Sequence, residues 1–168
     1  MNEDPVLPAE ATAELLRRCW YSHDAHWFMS VAGEFGMEAA NRLNRRTLRA
    51  FGRTEALRLA RALGGENVDS PEGMARLIAA GRRLLFPQPG MDVQVKIIDG
   101  RSYEVSFQRC FVHEKIQRAG MGDSYVCAVF DRLQGWHDAL GLPLAEEVPA
   151  LPCAKVQGKE CRRLLTIR

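Results

Sequence analysis

Met91-Asp-Val-Gln-Val-Lys-Ile-Ile-Asp-Gly-Arg-Ser-Tyr-Glu-Val-Ser-Phe107 is where the period of this chain changes. Val93, Val95 and Ile97 alternate with polar residues, and so do Tyr103, Val105 and Phe107. An alternation of two marks strands with one buried face, and Asp99-Gly100 between them reads as a two-residue hairpin turn. The break before it, Phe86-Pro-Gln-Pro-Gly90, separates this half from one that is helical throughout.

Working back from the break, Ser70-Pro71-Glu72 supplies a capping hydroxyl, a proline at the first helical position and an acid in the first turn. Met74, Leu77, Ile78, Gly81, Leu84 and Leu85 are the buried face of that helix. A longer helix is expected over residues 10–32. Leu15, Cys19, His23, Trp27 and Val31 recur every four residues, with Leu16, Trp20 and Phe28 beside them, giving one wide apolar stripe. Gly33 and Gly36 are expected to end it. A second helix follows over 37–51, and a third runs from Thr54 to a stop at Gly64-Gly65.

Forward from the hairpin, a short helix over 110–119 stops at Gly120, and a longer one spans about 123–140. The tail, Leu151-Pro-Cys-Ala-Lys-Val-Gln-Gly-Lys-Glu-Cys-Arg-Arg-Leu-Leu-Thr-Ile-Arg168, reads as a second hairpin turning at Val156-Gln157-Gly158. That register opposes Cys153 to Cys161, and also Lys155 to Lys159, which is mildly unfavourable. The expected class is α+β. A helical region, 1–88, precedes a ββααββ antiparallel sheet with helices on one face, 89–168, the two forming one unit.

Composition sets wide bounds. The 168 residues carry 23 Lys and Arg against 21 Asp and Glu, with 46% apolar content. These are ordinary values for a soluble globular chain. No apolar run approaches the ~18 residues of a membrane span, and the first residues lack an apolar signal core. The expectation is a cytoplasmic protein with reduced thiols and no membrane partner, compatible with a homodimer. Arg42, Arg45, Arg46, Arg49 and Arg53 share a helix face, read first as a solvated one. Without a nucleic-acid motif or interleaved aromatics, that face does not argue for nucleic acid.

Two groups of residues could carry chemistry. Cys110, Cys127, Cys153 and Cys161 lie in the second half, with Cys110 and Cys127 read at helix starts, where a thiolate is favoured. Four thiolates suit a closed zinc site or an iron–sulfur cluster; buried unligated thiols or a redox pair are the alternatives, since no Cys-x-x-Cys pair occurs. Cys19 is read as an uninvolved core residue, and His113 as a surface residue or a substitute ligand. The second group is Trp20, His23, Asp24, His26 and Trp27, titratable groups set among aromatics as in a small-molecule pocket. The competing reading is that the histidines are structural. The pair also suits acid–base catalysis with Asp24 as orienting partner, so a hydrolase or reductase of a small cyclic substrate stands beside the binding reading.

The tail with Gly158 between its two cysteines, the Asp-Gly hairpin, Cys110 and Cys127 together make residues 91–168 resemble the 4-vinyl-reductase-type ligand-binding domain. The resemblance implies a sensor-like domain that cups a small apolar or aromatic ligand and holds a structural zinc through three cysteines and a carboxylate. Cys127, Cys153 and Cys161 match those cysteines; Ala150 stands where the carboxylate belongs, leaving Cys110, or Glu146 or Glu147, to complete the shell. Tyr21-Ser-His-Asp-Ala-His-Trp-Phe28 followed by Phe35-Gly36 resembles a sparsely characterised bacterial and archaeal family related to the thiazoline-carboxylate hydrolase-like proteins.

Overall fold

The computed structural model describes residues 6–65 and 68–168. The chain is α+β. Helix α1 (Ala9–Ala62) is followed by α2 (Pro71–Leu85), β1 (Met91–Ile97), β2 (Ser102–Cys110), α3 (Phe111–Arg118), α4 (Val129–Leu140) and β3 (Arg162–Thr166). A 3₁₀ turn, Gly122–Ser124, lies between α3 and α4.

Straight, the 54 residues of α1 would reach about 80 Å, longer than a domain this size can cover. It bends at Gly36, whose φ of 83° and ψ of 164° leave the helical region at a position only glycine occupies without strain. Gly33 does not interrupt it, and the second and third helices expected from the sequence are one continuous arm. Gly52, at that expected boundary, serves packing instead: a Cβ there would collide with the carbonyl oxygen of Arg132 on α4. Gly135 of α4 reciprocates, its missing Cβ making room for the carbonyl oxygen of Arg49. Two helices meet backbone to backbone through these glycines.

The arginine face closes the same interface, so it is not simply solvated. Arg45 donates to both carboxylate oxygens of Asp131 at 3.0 and 3.1 Å and to the Val148 carbonyl. Arg49 and Arg53 converge on Asp138, each at 2.8 Å. Arg42 and Arg46 remain exposed.

Helix α2 starts as its cap predicts, the Ser70 hydroxyl accepting from the Gly73 N–H at 3.2 Å. The sheet is antiparallel in the order β1-β2-β3. On central β2, Tyr103, Val105 and Phe107 face the core with Leu165 of β3, Met74 and Leu77 of α2, and Leu133 and Trp136 of α4. The turn between β1 and β2 holds three residues, 99–101, because the Ile98 N–H already bonds the Ser102 carbonyl.

Two expected elements differ. The ββααββ reading has one strand too many: among the described residues the tail contributes only β3. Its former partner arm is engaged elsewhere, Pro152 bridging to Val126 and the Cys127 N–H donating to the Leu151 carbonyl. Gly158, at φ 68°, closes a turn in which Lys159 N–H donates to the Ala154 carbonyl, so Cys153 and Cys161 are not paired across a ladder. Helix α4 begins at Val129 rather than near Asp123. Buried Asn41 holds the preceding segment extended, its amide donating to the Ser124 carbonyl at 2.7 Å and its oxygen accepting the Val126 N–H at 3.0 Å. Cys127 therefore precedes the helix instead of sitting in its first turn.

Candidate functional site

Where the N-terminal arm of α1 passes α3, a cavity of about 480 Å³ lies between them. The volume falls in the range of small-molecule sites. Phe28, Phe111, Met91, Leu48, Ile116 and Val129 are among the apolar residues around it. Ala25 and Met29 of α1 and Lys115, Arg118 and Ala119 of the α3 region are the exposed members of the lining, so the mouth lies between these two segments.

One wall is polar and was not apparent from the sequence. Arg132 of α4 forms a two-pronged ion pair with Glu55 of α1, both residues being buried. Its Nε donates to Glu55 at 2.7 Å, and the Trp136 indole N–H donates to the same carboxylate at 2.8 Å. Its remaining terminal nitrogen donates to the Tyr21 hydroxyl at 3.1 Å. Phe86 and Phe51 stack on the guanidinium at 4.7 and 5.2 Å. A guanidinium taken from water requires this degree of satisfaction. Burial raises the Tyr21 pKa against the opposing charge of Arg132, so the hydroxyl stays protonated. The signal in the sequence was a charge on an apolar face: Arg132 lies one turn before Trp136, on the stripe of α4.

Of the five residues expected to face a ligand, Asp24 lines this cavity. Burial raises its pKa, with the positive charges of Arg132 and His23 opposing. Trp20 lines a separate groove with Phe51, Leu84 and Leu85. His23, His26 and Trp27 are exposed and are not part of the cavity lining. The stripe read as buried is mostly outward, because the line of α1 that meets the rest of the molecule is Tyr21, Asp24 and Phe28. Cys19, read as a core residue, is exposed with it.

The four expected thiols lie in one region of the molecule without forming a metal-holding group among the described residues. Cys110 and Cys127 line the cavity, Cys153 packs beneath it with Ile116 and Tyr125, and Cys161 precedes β3. Each of Cys110, Cys127 and Cys161 is close enough to others of the set for their charges to repel. Burial pushes the Cys127 thiol up to about 12 and the Cys161 thiol up to about 11. It raises Cys110 too, over the opposing pull of the Val112 and His113 N–H groups. His113 is half-buried, its Nδ1 3.9 Å from the Cys153 sulfur. Among the described residues, no three His, Cys, Asp or Glu side chains are grouped so as to hold a metal ion.

Also among the described residues, no helix is long and apolar enough to cross a membrane. No curated protein matches the chain. Among solved structures it is similar to trafficking protein particle complex subunit 3 from Naegleria fowleri, crystallised covalently bound to palmitic acid. The TM-score is 0.49 at 14% identity, over 95% of this chain and 96% of that one. Residues 10–131 match a family of unknown function, DUF6125, and the chain belongs to that family.

Proposed function

We propose that this is a cytoplasmic small-molecule-binding protein whose ligand enters between α1 and α3. The observation that carries the reading is the cavity itself, apolar over most of its wall and bounded by a satisfied Arg132–Glu55–Tyr21 network. An apolar space of this size is expensive to leave facing water, and a fixed polar wall orients what fills it. Residues that only complete a core would close the gap, since interiors pack without voids of this scale. The test is direct: mixed with biphenyl-4-methanol, the folded protein binds one equivalent and its melting temperature rises with probe concentration. No binding, and no shift, at probe concentrations up to its solubility overturns the reading.

A second reading is supported by the thiols. Cys110, Cys127, Cys153 and Cys161 would hold a structural zinc beside the cavity, which supplies a cross-link between the α3 start, the 125–128 segment and the tail. Buried thiols whose negative forms repel one another are a donor set that a dication stabilises. Zinc is favoured over an iron–sulfur cluster on ligand chemistry. Elemental analysis of protein purified without chelators or a metal-binding tag decides it: one zinc per chain supports the site, a brown iron-containing protein favours the cluster, and neither metal removes both.

A further inference from the structure

We infer that the cavity selects an apolar molecule bearing a protonated amine, which Asp24 receives. This rests on the cavity being a ligand site and adds the class of ligand.

Asp24 makes no hydrogen bond or ion pair with any described residue, although it lies half-buried between Tyr21 and Phe28 on the inner line of α1. A carboxylate in such surroundings is ordinarily paired. The other charge inside this cavity, Arg132, already is. Glu55 neutralises Arg132, whose nitrogens also engage Tyr21 and whose faces are covered by Phe51 and Phe86. Asn41 and Asn44 are likewise engaged, Asn41 with the backbone of Ser124 and Val126 and Asn44 with the Tyr125 hydroxyl. Among the described residues inside the mouth, then, Asp24 is a carboxylate without a hydrogen-bonded partner; the charges of Arg132 and His23 act on it, but Arg132 is already held by Glu55. Lys115 and Arg118 carry the opposite sign, but both are exposed at the rim, where solvent and salt screen them. A primary ammonium on an aromatic or aliphatic body satisfies both features, donating to Asp24 while its body covers Phe28, Phe111 and Ile116. Burial raises the Asp24 pKa against the opposing charges of Arg132 and His23; a bound cation relieves the desolvation penalty, as an opposite charge does for a desolvated carboxylate.

The experiment compares three probes of one skeleton by calorimetry at pH 7.5: biphenyl-4-methylamine, biphenyl-4-methanol and biphenyl-4-carboxylate. The amine is expected to bind at least tenfold tighter than either of the others. In Asp24→Asn, which removes the charge while keeping the shape, amine affinity falls to within about threefold of the alcohol's. Asp24→Glu retains the amine preference. The inference is overturned, with the cavity reading intact, if all three bind equally, if the carboxylate binds tightest, or if Asp24→Asn leaves the ranking as it was. Binding by none of the three overturns both.

Discussion

Tyr21 of α1 and Arg132 of α4, 111 positions apart in sequence, meet at 3.1 Å in the wall of the cavity. Behind them Glu55 fixes the guanidinium from the other arm of the same helix. Glu55→Ala removes one partner of a buried pair and leaves the guanidinium without its counter-charge. A loss of about 3–5 kcal/mol is expected, measured by urea denaturation. Tyr21→Phe deletes a single hydrogen bond and should cost about 1–3 kcal/mol. A fall below about 1 kcal/mol for Glu55→Ala would mean that the network is hydrated and contributes little.

Helices α1 and α4 approach through Gly52 and Gly135. The extra methyl of Gly52→Ala or Gly135→Ala would meet a backbone carbonyl, which cannot swing aside as a side chain can. Each is expected to destabilise by at least about 1–3 kcal/mol, despite alanine's better helix propensity. Gly33→Ala, with nothing within 4 Å of the added methyl, should stabilise by up to about 1 kcal/mol.

His137 is fully buried, its Nδ1–H donating to the Leu142 carbonyl at 2.8 Å and its Nε2 accepting the Tyr103 hydroxyl at 2.5 Å. Both contacts suit the neutral ring, and burial lowers its pKa below the ordinary value. The unfolded chain therefore takes up this proton first as pH falls. The stability His137 confers is fully present above the unfolded pKa of about 6.5 and is lost progressively below it. The melting temperature should drop between pH 7.5 and 5.5, and His137→Gln should flatten that slope.

The outward turn of the α1 stripe is visible to light. Trp20 is 55% exposed and Trp27 40%, whereas Trp136 is 4% exposed. In single-tryptophan variants, acrylamide should quench the emission of Trp20 and Trp27 efficiently and that of Trp136 several-fold less. Equal protection of all three would place the stripe against another surface in solution.

In protein stripped of metal, a thiol reagent at pH 8 should modify exposed Cys19 first. Burial holds Cys127 near 12, so about one in 10⁴ of its thiols is ionised at that pH. Unfolding in guanidinium should release the remaining cysteines together.

What the sequence disclosed follows from how local each feature is. The alternation of Val93, Val95, Tyr103 and Val105, the Ser70-Pro71 cap and the Gly120 stop depend on neighbours a few positions away. The start of α4 depends on Asn41, more than 80 positions earlier, competing for the backbone of Ser124 and Val126. The tail hairpin failed for the same reason, its first arm bridging to Val126. On α1 both faces carry large apolar groups, Trp20 and Trp27 on one and Tyr21 and Phe28 on the other. Periodicity identifies such a helix without saying which face has the partner. Asp24, on the inner line with Tyr21 and Phe28, is among the ligand candidates because it stands beside His23 in the sequence; Arg132 and Glu55 were missed because neither shows a partner until the fold brings the other beside it.

The account turns on whether the space between α1 and α3 receives a ligand. Ala25 and Ala119 are exposed at its mouth, so Ala25→Trp and Ala119→Trp should obstruct entry while leaving stability nearly unchanged. Calorimetric titration with biphenyl-4-methanol measures this directly. The wild-type chain is predicted to bind one equivalent, and each variant to lose at least tenfold in affinity with its melting temperature preserved. Equal binding by wild type and both variants, or none by wild type, would contradict it.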